Sequence, residues 1–365
     1  MNTLMRATLL TALTLSAGAC LSAYEAQGRL AAVQAMPSPR AVHSATRLHD
    51  GRVLIVGGCK ADGCEEGLSA DALLFDPDSG RYTATGAPQI ARAGHRAVPL
   101  QDGSVLVFGG WTANGPTDVV ERYLPDAGGF ERYGRMQQAR DGFTATMLDD
   151  GTILIAGGYA DGMRRLASAE RFDPGTRRST AVGPLATPRM SHTATLLHDG
   201  RVLVAGGSDA RGSVTATLEV FDPASGQFST AGRLDKARHK HAAVRLGDDV
   251  LILGGAAIPE NAGHFQDSEI WRADAEGTVP GPSMREGRYK FLDSVVALRD
   301  GRVLVSGSGD AEILSSDHRQ FSPLSTDIGR KLAFATATPL TDGRVLILGG
   351  YDPDIRVDRG AWIFE

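Results

Sequence analysis

An arginine followed three residues later by histidine or phenylalanine recurs along this 365-residue chain. The arginines are Arg40, Arg92, Arg140, Arg189, Arg238 and Arg288, with Lys331 placed at the seventh position. Guanidinium groups bind anions through charge-assisted hydrogen bonds, so a ring of them could hold an anion or an acidic peptide. Carboxylates that could neutralise them inside the fold recur as regularly, namely Glu121, Glu170, Glu219, Glu269 and Glu312. The sequence therefore leaves two roles open for these arginines: structural ion pairs inside the fold, or a site for an anionic ligand.

The position three residues after each arginine also alternates in type. It holds either a histidine or a phenylalanine: His43, His95, His192 and His241, and Phe143, Phe291 and Phe334. A position that accepts phenylalanine predicts a packed histidine with a single hydrogen bond, not a metal ligand. Aspartates are frequent in the variable segments but form no dense calcium loop, so they predict turns. We predict neither a metal nor a cofactor.

A second group with acid, base and ligand-binding chemistry lies in the longest variable segment, residues 256–268. It contains Glu260, His264 and Asp267. Long, variable loops on a rigid scaffold are where binding usually occurs. This segment is therefore the first candidate for contact with a ligand, and its residues would also be those of an enzyme acting on sugars.

Two of the three cysteines, Cys59 and Cys64, lie close together in one segment. A metal site would need further ligands, and neither a second cysteine pair nor a histidine is near in sequence. In an exported protein such a pair predicts a small disulfide.

The N-terminal segment predicts export. Residues 1–19 carry one charge, Arg6, followed by a short apolar stretch, which is typical of a signal peptide and too short to span a bilayer. Cys20 follows Ala17-Gly18-Ala19 and resembles a lipobox, although leucine is the usual residue where Ala17 stands. An ordinary signal peptidase could also cleave after Ala19. We predict a signal peptide over 1–19, a lipid anchor and tether over 20–27, and one folded domain over 28–365.

The elements that must position these residues form a repeat, seen clearly from Arg189 to Gly207. Two short strands are joined by Asp199-Gly200, a strong hairpin signal, and the second strand ends in two glycines. The glycine pairs follow one another at intervals of roughly 50 residues, a period typical of β-propellers. Seven copies are present: 57–58, 109–110, 157–158, 206–207, 254–255, 307–308 (where the second residue is serine) and 349–350.

These repeats resemble those of bacterial kelch-repeat proteins over residues 28–365. The resemblance implies an all-β, seven-bladed kelch-type β-propeller. The last repeat stops at its third strand, while a spare strand begins at Gly28, so we predict that Leu30 to Ala35 pairs with Ala361 to Phe364 and closes the last blade. Galactose oxidase also carries kelch repeats, but its copper chemistry requires a tyrosine linked to cysteine and two histidines. The cysteine usage here does not support that chemistry.

Composition and charge narrow the class of partner. A formal net charge of −5 and a pI near 6.0 argue against nucleic acid. We predict a cell-envelope binding or scaffold module that recognises a protein or glycan, anionic at the contact, through its variable-loop face. It would meet the membrane only through the N-terminal lipid. The alternative is a sugar-acting enzyme of the isomerase or mutarotase type, with a site at the propeller mouth.

Overall fold

The computed structural model describes residues 28–61, 64, 67–258, 263–275 and 277–365. The predicted signal peptide, Cys20 and the tether lie outside the described residues, as does Glu260. Within the described residues, no helix has the length and apolarity needed to cross a membrane.

The described chain forms seven four-stranded antiparallel sheets, and the all-β seven-bladed propeller is confirmed. The innermost strand of each sheet contacts the innermost strands of its two neighbours, which closes a ring around a central channel. Below, each sheet is a blade, numbered by its repeat, with strands given from the channel outward.

Blades 1 to 4 have regular strands. Blade 1 comprises β2 (Ser44–Arg47), β3 (Val53–Val56), β4 (Ala72–Asp76) and β5 (Arg81–Thr85). Blade 2 comprises β6 (Arg96–Pro99), β7 (Val105–Phe108), β10 (Val119–Leu124) and β11 (Gly129–Arg135). Blade 3 comprises β12 (Thr144–Met147), β13 (Ile153–Ala156), β16 (Ala169–Asp173) and β17 (Arg178–Val182). Blade 4 comprises β18 (Thr193–Leu196), β19 (Val202–Ala205), β20 (Thr217–Asp222) and β21 (Gln227–Arg233).

Blades 5 to 7 have shorter outer strands. Blade 5 comprises β22 (Ala242–Leu246), β23 (Asp249–Leu253), β24 (Ser268–Trp271) and β25 (Thr278–Pro280). Blade 6 comprises β26 (Val295–Ala297), β27 (Val303–Val305), β28 (Glu312–Leu314) and β29 (Phe321–Pro323). Blade 7 comprises β30 (Thr336–Pro339), β31 (Val345–Leu348), β32 (Ala361–Phe364) and the N-terminal β1 (Leu30–Ala32). Two small hairpins lie in the loops of blades 2 and 3: β8 (Trp111–Thr112) with β9 (Gly115–Pro116), and β14 (Tyr159–Ala160) with β15 (Arg164–Arg165), the latter pair around a 3-10 turn at Asp161–Met163.

The N-terminal strand closes the ring as predicted. Leu30 pairs with Phe364 and Ala32 with Trp362 in antiparallel register. The pairing continues beyond β1, since the Val33 N–H donates to the Ala361 carbonyl at 3.0 Å. An unpaired β32 would present an open edge, and β1 removes it.

The second strands form the centre of the core. Val202–Ala205 is apolar without alternation, and all four residues are buried. Such a run requires cover on both faces, which neighbouring blades supply. One apolar cluster joins Leu203 and Leu218 of blade 4 to Val250 and Ile252 of blade 5. Blade-to-blade packing thus provides the burial that a single sheet lacks.

The glycine pairs let adjacent blades approach closely. Gly57 has φ of +61°, and a Cβ there would lie 2.5 Å from the Arg92 carbonyl oxygen of blade 2. The neighbouring Gly58 N–H donates to that same carbonyl at 2.9 Å. A side chain at Gly57 would displace the contact that joins the two blades.

In blade 7 the structure shifts the repeat alignment by one residue relative to the sequence-based assignment. Two residues after each arginine, the backbone takes positive φ, as at Lys240 (49°) and Lys290 (60°). In blade 7 that conformation occurs at Phe334 (55°), so the arginine position is Leu332 and the histidine position is Ala335. The Ser308 N–H donates to the Leu332 carbonyl, matching the contact between Gly58 and Arg92. Assigning Lys331 and Phe334 to those positions was wrong by one residue.

Candidate binding site at the channel mouth

The arginine series is buried between strands. Each member exposes 0–1% of its surface: Arg40, Arg92, Arg140, Arg189, Arg238 and Arg288. The Arg189 guanidinium donates to the Gly206 carbonyl (2.9 Å), the Thr217 carbonyl (3.0 Å) and the Glu219 carboxylate (2.5 Å). A guanidinium without accessible surface cannot contact a ligand. The structure therefore corrects the placement of these arginines at an open binding site.

Five arginines pair with the regularly spaced glutamates. The N–O distances are 2.6 Å for Arg92–Glu121, 2.7 Å for Arg140–Glu170, 2.5 Å for Arg189–Glu219, 2.8 Å for Arg238–Glu269 and 2.6 Å for Arg288–Glu312. Arg40 instead reaches Asp71 at 3.3 Å, because Leu73 occupies the glutamate position of blade 1. All six arginines therefore form ion pairs inside the fold, as the structural interpretation of the sequence predicts.

The repeated histidines join neighbouring inner strands. His95 Nε2 lies 2.8 Å from the Ser44 hydroxyl of blade 1, and His241 Nε2 lies 2.9 Å from the Thr193 hydroxyl of blade 4. His43 and His192 make the equivalent contacts with Thr336 and Thr144. Burial lowers the pKa of His43 to about 3 and the pKa values of the other three well below the ordinary value. The predicted packed, singly hydrogen-bonded histidines are confirmed.

His264 and Asp267, the described candidates of the longest variable segment, are each engaged in contacts of their own. Asp267 is held by Lys236 and by Arg238, the latter at 3.2 Å. His264 stacks on the Tyr289 ring, with centroids 4.9 Å apart and planes 12° apart. Because Asp267 is already neutralised and Arg238 is buried, these residues do not form an open acid–base site.

The mouth of the channel is instead bordered by the seven positive-φ residues that lie two residues after each arginine position, here called the mouth ring. Its members, one per blade, are Val42, Gly94, Gly142, Ser191, Lys240, Lys290 and Phe334. Backbone hydrogen bonds join neighbours around it: Lys240 donates to Ser191 (2.9 Å), and Lys290 donates to Lys240 (3.0 Å). Left-handed backbone at bulky residues is costly, and such strain often accompanies functional sites.

An open cavity of about 470 Å³ lies at the mouth ring. Trp111 of β8, Tyr159 of β14, Met190 and Phe334 line it. The Trp111 and Tyr159 rings are neighbours, with centroids 6.2 Å apart. Ring residues Gly94 and Gly142 also line the cavity and contribute no side chain. The cavity is thus largely aromatic and apolar, as ligand pockets commonly are.

Asp141 is a half-buried carboxylate that lines this cavity. One carboxylate oxygen accepts a 2.6 Å hydrogen bond from the Tyr159 hydroxyl. Burial raises the pKa of Asp141, and the Tyr159 hydrogen bond opposes that rise. A Cβ at Gly94 would collide with the carboxylate, so glycine is needed there. The aspartate is consequently fixed in place beneath the mouth ring.

Two lysines supply the positive charge at the mouth. Lys240 Nζ and Lys290 Nζ lie 5.3 Å and 5.2 Å from the centroid of the Tyr289 ring. Burial, and then the nearby Lys290 charge, lowers the pKa of Lys240 to about 8. Burial lowers the pKa of Lys290 as well. In the part of the chain that the structure describes, neither lysine forms an ion pair, unlike the buried arginines.

A two-residue insertion closes the floor of the cavity. Residues Leu292 and Asp293 form a turn between Phe291 and β26, and Asp293 reaches Arg96 of blade 2. The sequence contains a signal for this turn. The arginine lies 17 residues before the first glycine of the pair in blades 1 to 4, but 19 residues before it in blade 6. Beyond this floor is a second cavity of about 400 Å³, lined by inner-strand threonines, alanines and histidines.

The predicted disulfide also lies at the mouth. Cys59 and Cys64 are bonded, with Cα atoms 5.0 Å apart. The Tyr351 hydroxyl of blade 7 donates to Cys64 Sγ at 2.9 Å. The disulfide therefore fixes the blade 1 loop beside the loop of the last blade.

Sequence and structure comparisons agree with this architecture. A Kelch motif model matches residues 189–234, which include the strands of blade 4. The human Kelch domain-containing protein 9 is 43% identical over 75 residues, and the match spans 20% of each chain. The chain thus spans about a fifth of that relative's length.

A solved fungal alcohol oxidase of the AA5 family, in complex with copper, is similar in fold. The TM-score is 0.74 and the identity 15%, over 93% of this chain and 76% of the oxidase. The donor set at this mouth does not fit copper, because both cavity histidines, His43 and His95, use Nε2 to contact hydroxyls. The similarity shows the fold alone: this chain is a seven-bladed β-propeller that carries a Kelch motif.

Proposed function

We propose that this chain is a binding module whose variable-loop face recognises a partner protein or glycan that is anionic at the point of contact. The observation that carries the proposal is the pair Lys240 and Lys290 at an open, aromatic-lined mouth. A kelch propeller is consistent with a protein-binding scaffold, and the rigid blades present loops that differ from repeat to repeat.

Electrostatics favours the lysines over the arginines as the contact. Each buried arginine already has a carboxylate partner, so its charge is neutralised inside the fold. Lys240 lines the concave cavity, with Lys290 beside the same Tyr289 ring, and a concave site with low-dielectric walls concentrates the field and attracts anions. An anionic partner could form the ion pair that neither lysine has among the described residues.

The proposed location is the cell envelope, reached through the signal peptide over 1–19 and an anchor at Cys20. The Cys59–Cys64 bond supports export, since disulfides persist in oxidising compartments. A lipidated cysteine would hold the propeller at a membrane without a spanning segment. The sugar-acting alternative is not favoured, because Asp267 and His264 are engaged in other contacts.

The test is a crosslinked pull-down from the native envelope beside an acidic-glycan array, followed by titration of the partner found. Lys240→Ala combined with Lys290→Ala is expected to weaken binding by on the order of tenfold or more and to reduce its salt dependence. Lys236→Ala is the matched control, since that lysine lies on blade 5 but pairs with Asp267. Unchanged affinity and salt dependence in the double variant would refute the proposal.

A further inference from the structure

The open space at the mouth lies to one side of the channel, because the residues of the mouth ring differ in side-chain size from blade to blade. Neighbouring blades 2, 3 and 4 contribute Gly94, Gly142 and Ser191, which leave room. Blades 5, 6 and 7 contribute Lys240, Lys290 and Phe334, whose larger side chains lie close together around the Tyr289 and Phe334 rings. The cavity is lined by the small residues together with Lys240 and Phe334. It is thus a pocket with an amine at its border.

The walls of this pocket suit an apolar ring. Trp111, Tyr159, Met190 and Phe334 supply aromatic and thioether surfaces, and Met163, 46% exposed, lies at its edge. Each hydroxyl of a sugar would need a hydrogen-bond partner on burial, and several polar groups of the lining already have partners: His43 and His95 contact hydroxyls, and Arg96 contacts Asp293. An aromatic or aliphatic ring loses no such partners and gains packing against the indole and phenol.

The polar groups suit one carboxylate. The Asp141 carboxylate is held by Tyr159, and Asp293 is paired with Arg96, so neither forms an ion pair with Lys240. Lys290 adds a second positive charge near the same Tyr289 ring. A carboxylate entering beside Lys240 would meet an ammonium that forms no ion pair among the described residues, although the Asp141 carboxylate is near enough to offset part of its charge.

We infer that the mouth pocket binds an apolar ring bearing one carboxylate, with the ring against Trp111 and Tyr159 and the carboxylate at Lys240. The inference rests on the proposed function and specifies which chemical group of the ligand or partner the mouth pocket binds. The same chemistry is available from a free small acid or from a residue of the partner, such as a C-terminal phenylalanine.

The probes are phenylacetate and its uncharged isostere phenylacetamide, titrated by tryptophan fluorescence and calorimetry. Trp111 is half-buried at the pocket, whereas Trp271 and Trp362 expose only 4% and 9%, so the fluorescence change should arise from Trp111. Phenylacetate is expected to bind with Kd on the order of 0.1–1 mM, and phenylacetamide at least about tenfold more weakly. Equal binding of the two, or no saturation by phenylacetate at about 10 mM, would overturn the inference.

Two variants separate the contributions. Lys240→Met keeps the length of the side chain and should remove the preference for the acid, while Trp111→Leu should weaken both probes. Lys236→Met serves as the control, and thermal melts confirm that each variant is folded. An acid preference that persists in Lys240→Met would overturn the assignment of the carboxylate.

The two sources are distinguished with N-acetyl-phenylalanine, its amide, and the partner from the pull-down. Displacement of the partner by the acids, but not by the amides, would assign the group to the partner. Binding of phenylacetate without displacement would assign it to a free molecule. If the acids fail to bind while the double lysine variant still loses the partner, this inference is wrong and the proposed function stands.

Discussion

The Arg96 guanidinium of blade 2 contacts the Asp293 carboxylate of blade 6, with Nη1 and Oδ2 3.2 Å apart. These blades are not neighbours, so the ion pair crosses the channel. Both residues line the mouth cavity and the deeper cavity, and the pair separates the two. Arg96 Nε also donates to the Phe143 carbonyl at 3.0 Å, which fixes its direction.

Removing the Arg96–Asp293 ion pair should change access between the two cavities more than it changes the stability of the fold. The Asp293 side chain is 54% exposed, so Asp293→Ala is expected to cost no more than about 1 kcal/mol, since screened pairs contribute little. The variant should join the two cavities, visible as a continuous channel in its crystal structure. A loss as large as that expected for Arg189→Ala would contradict the screened character of the pair.

The buried arginine pairs should behave in the opposite way. Arg189→Ala leaves Glu219 as a buried carboxylate without its cation, which typically costs about 3–5 kcal/mol. The double variant Arg189→Leu with Glu219→Leu should recover much of the loss in a denaturant melt. Blade 7 supports this expectation, because Leu332 and Trp362 occupy the arginine and glutamate positions there. A double variant no more stable than the single one would contradict it.

The N-terminal strand should stabilise the whole ring. Deleting residues 28–36 removes the β1 pairing with β32, the Arg29–Glu365 ion pair and the buried Met36. The domain is expected to melt in one transition at a clearly lower temperature, because closure joins the last blade to the rest. Arg29→Ala is the control and should change little, since that pair is exposed. A truncated domain that melts like the full chain would refute the role of β1.

The four buried histidines that precede inner strands should make the fold sensitive to acid. Their folded pKa values are depressed, so below about pH 6.5 the unfolded chain binds more protons than the native one. Stability is therefore expected to fall as pH decreases, by up to about 1.4 kcal/mol per pH unit for each histidine. Denaturant melts from pH 7 to pH 5 measure the slope.

His192→Phe is the matched variant for this slope, because Phe143 and Phe291 occupy the same position in blades 3 and 6. This substitution should reduce the dependence of the unfolding free energy on pH by the contribution of one histidine. An unchanged slope would show that these histidines do not set the acid sensitivity.

Lys240 should be the most reactive lysine. With a pKa of about 8, far more of its amine is uncharged at pH 7.5 than for an ordinary lysine. Limited acetylation is expected to modify Lys240 on the order of tenfold faster than Lys60 or Lys236, both held in ion pairs. Site-resolved mass spectrometry measures the rates, and the preference should narrow near pH 10. Equal rates at pH 7.5 would mean that Lys240 is not desolvated.

The amino-acid sequence determined the architecture because the repeat is local. Each copy contains its own hairpin, a glycine pair (Gly-Ser in the sixth copy) and a third strand, so seven blades and a closing N-terminal strand follow from counting. The arginine and glutamate series also follow from spacing, since the two residues lie 29–31 apart in blades 2 to 5, as with Arg140 and Glu170. The disulfide needed only two cysteines close together in sequence.

The tertiary structure alone decided which charges remain available to a ligand. Burial depends on packing between blades, and nothing in the spacing of Arg189 distinguishes a buried ion pair from an exposed cation. The one-residue shift in blade 7 was decided by burial of Leu332 and by its hydrogen bond from Ser308. The mouth pocket joins Trp111, Tyr159 and Lys240 from three blades, and the closed ring brings side chains together that lie far apart in the sequence.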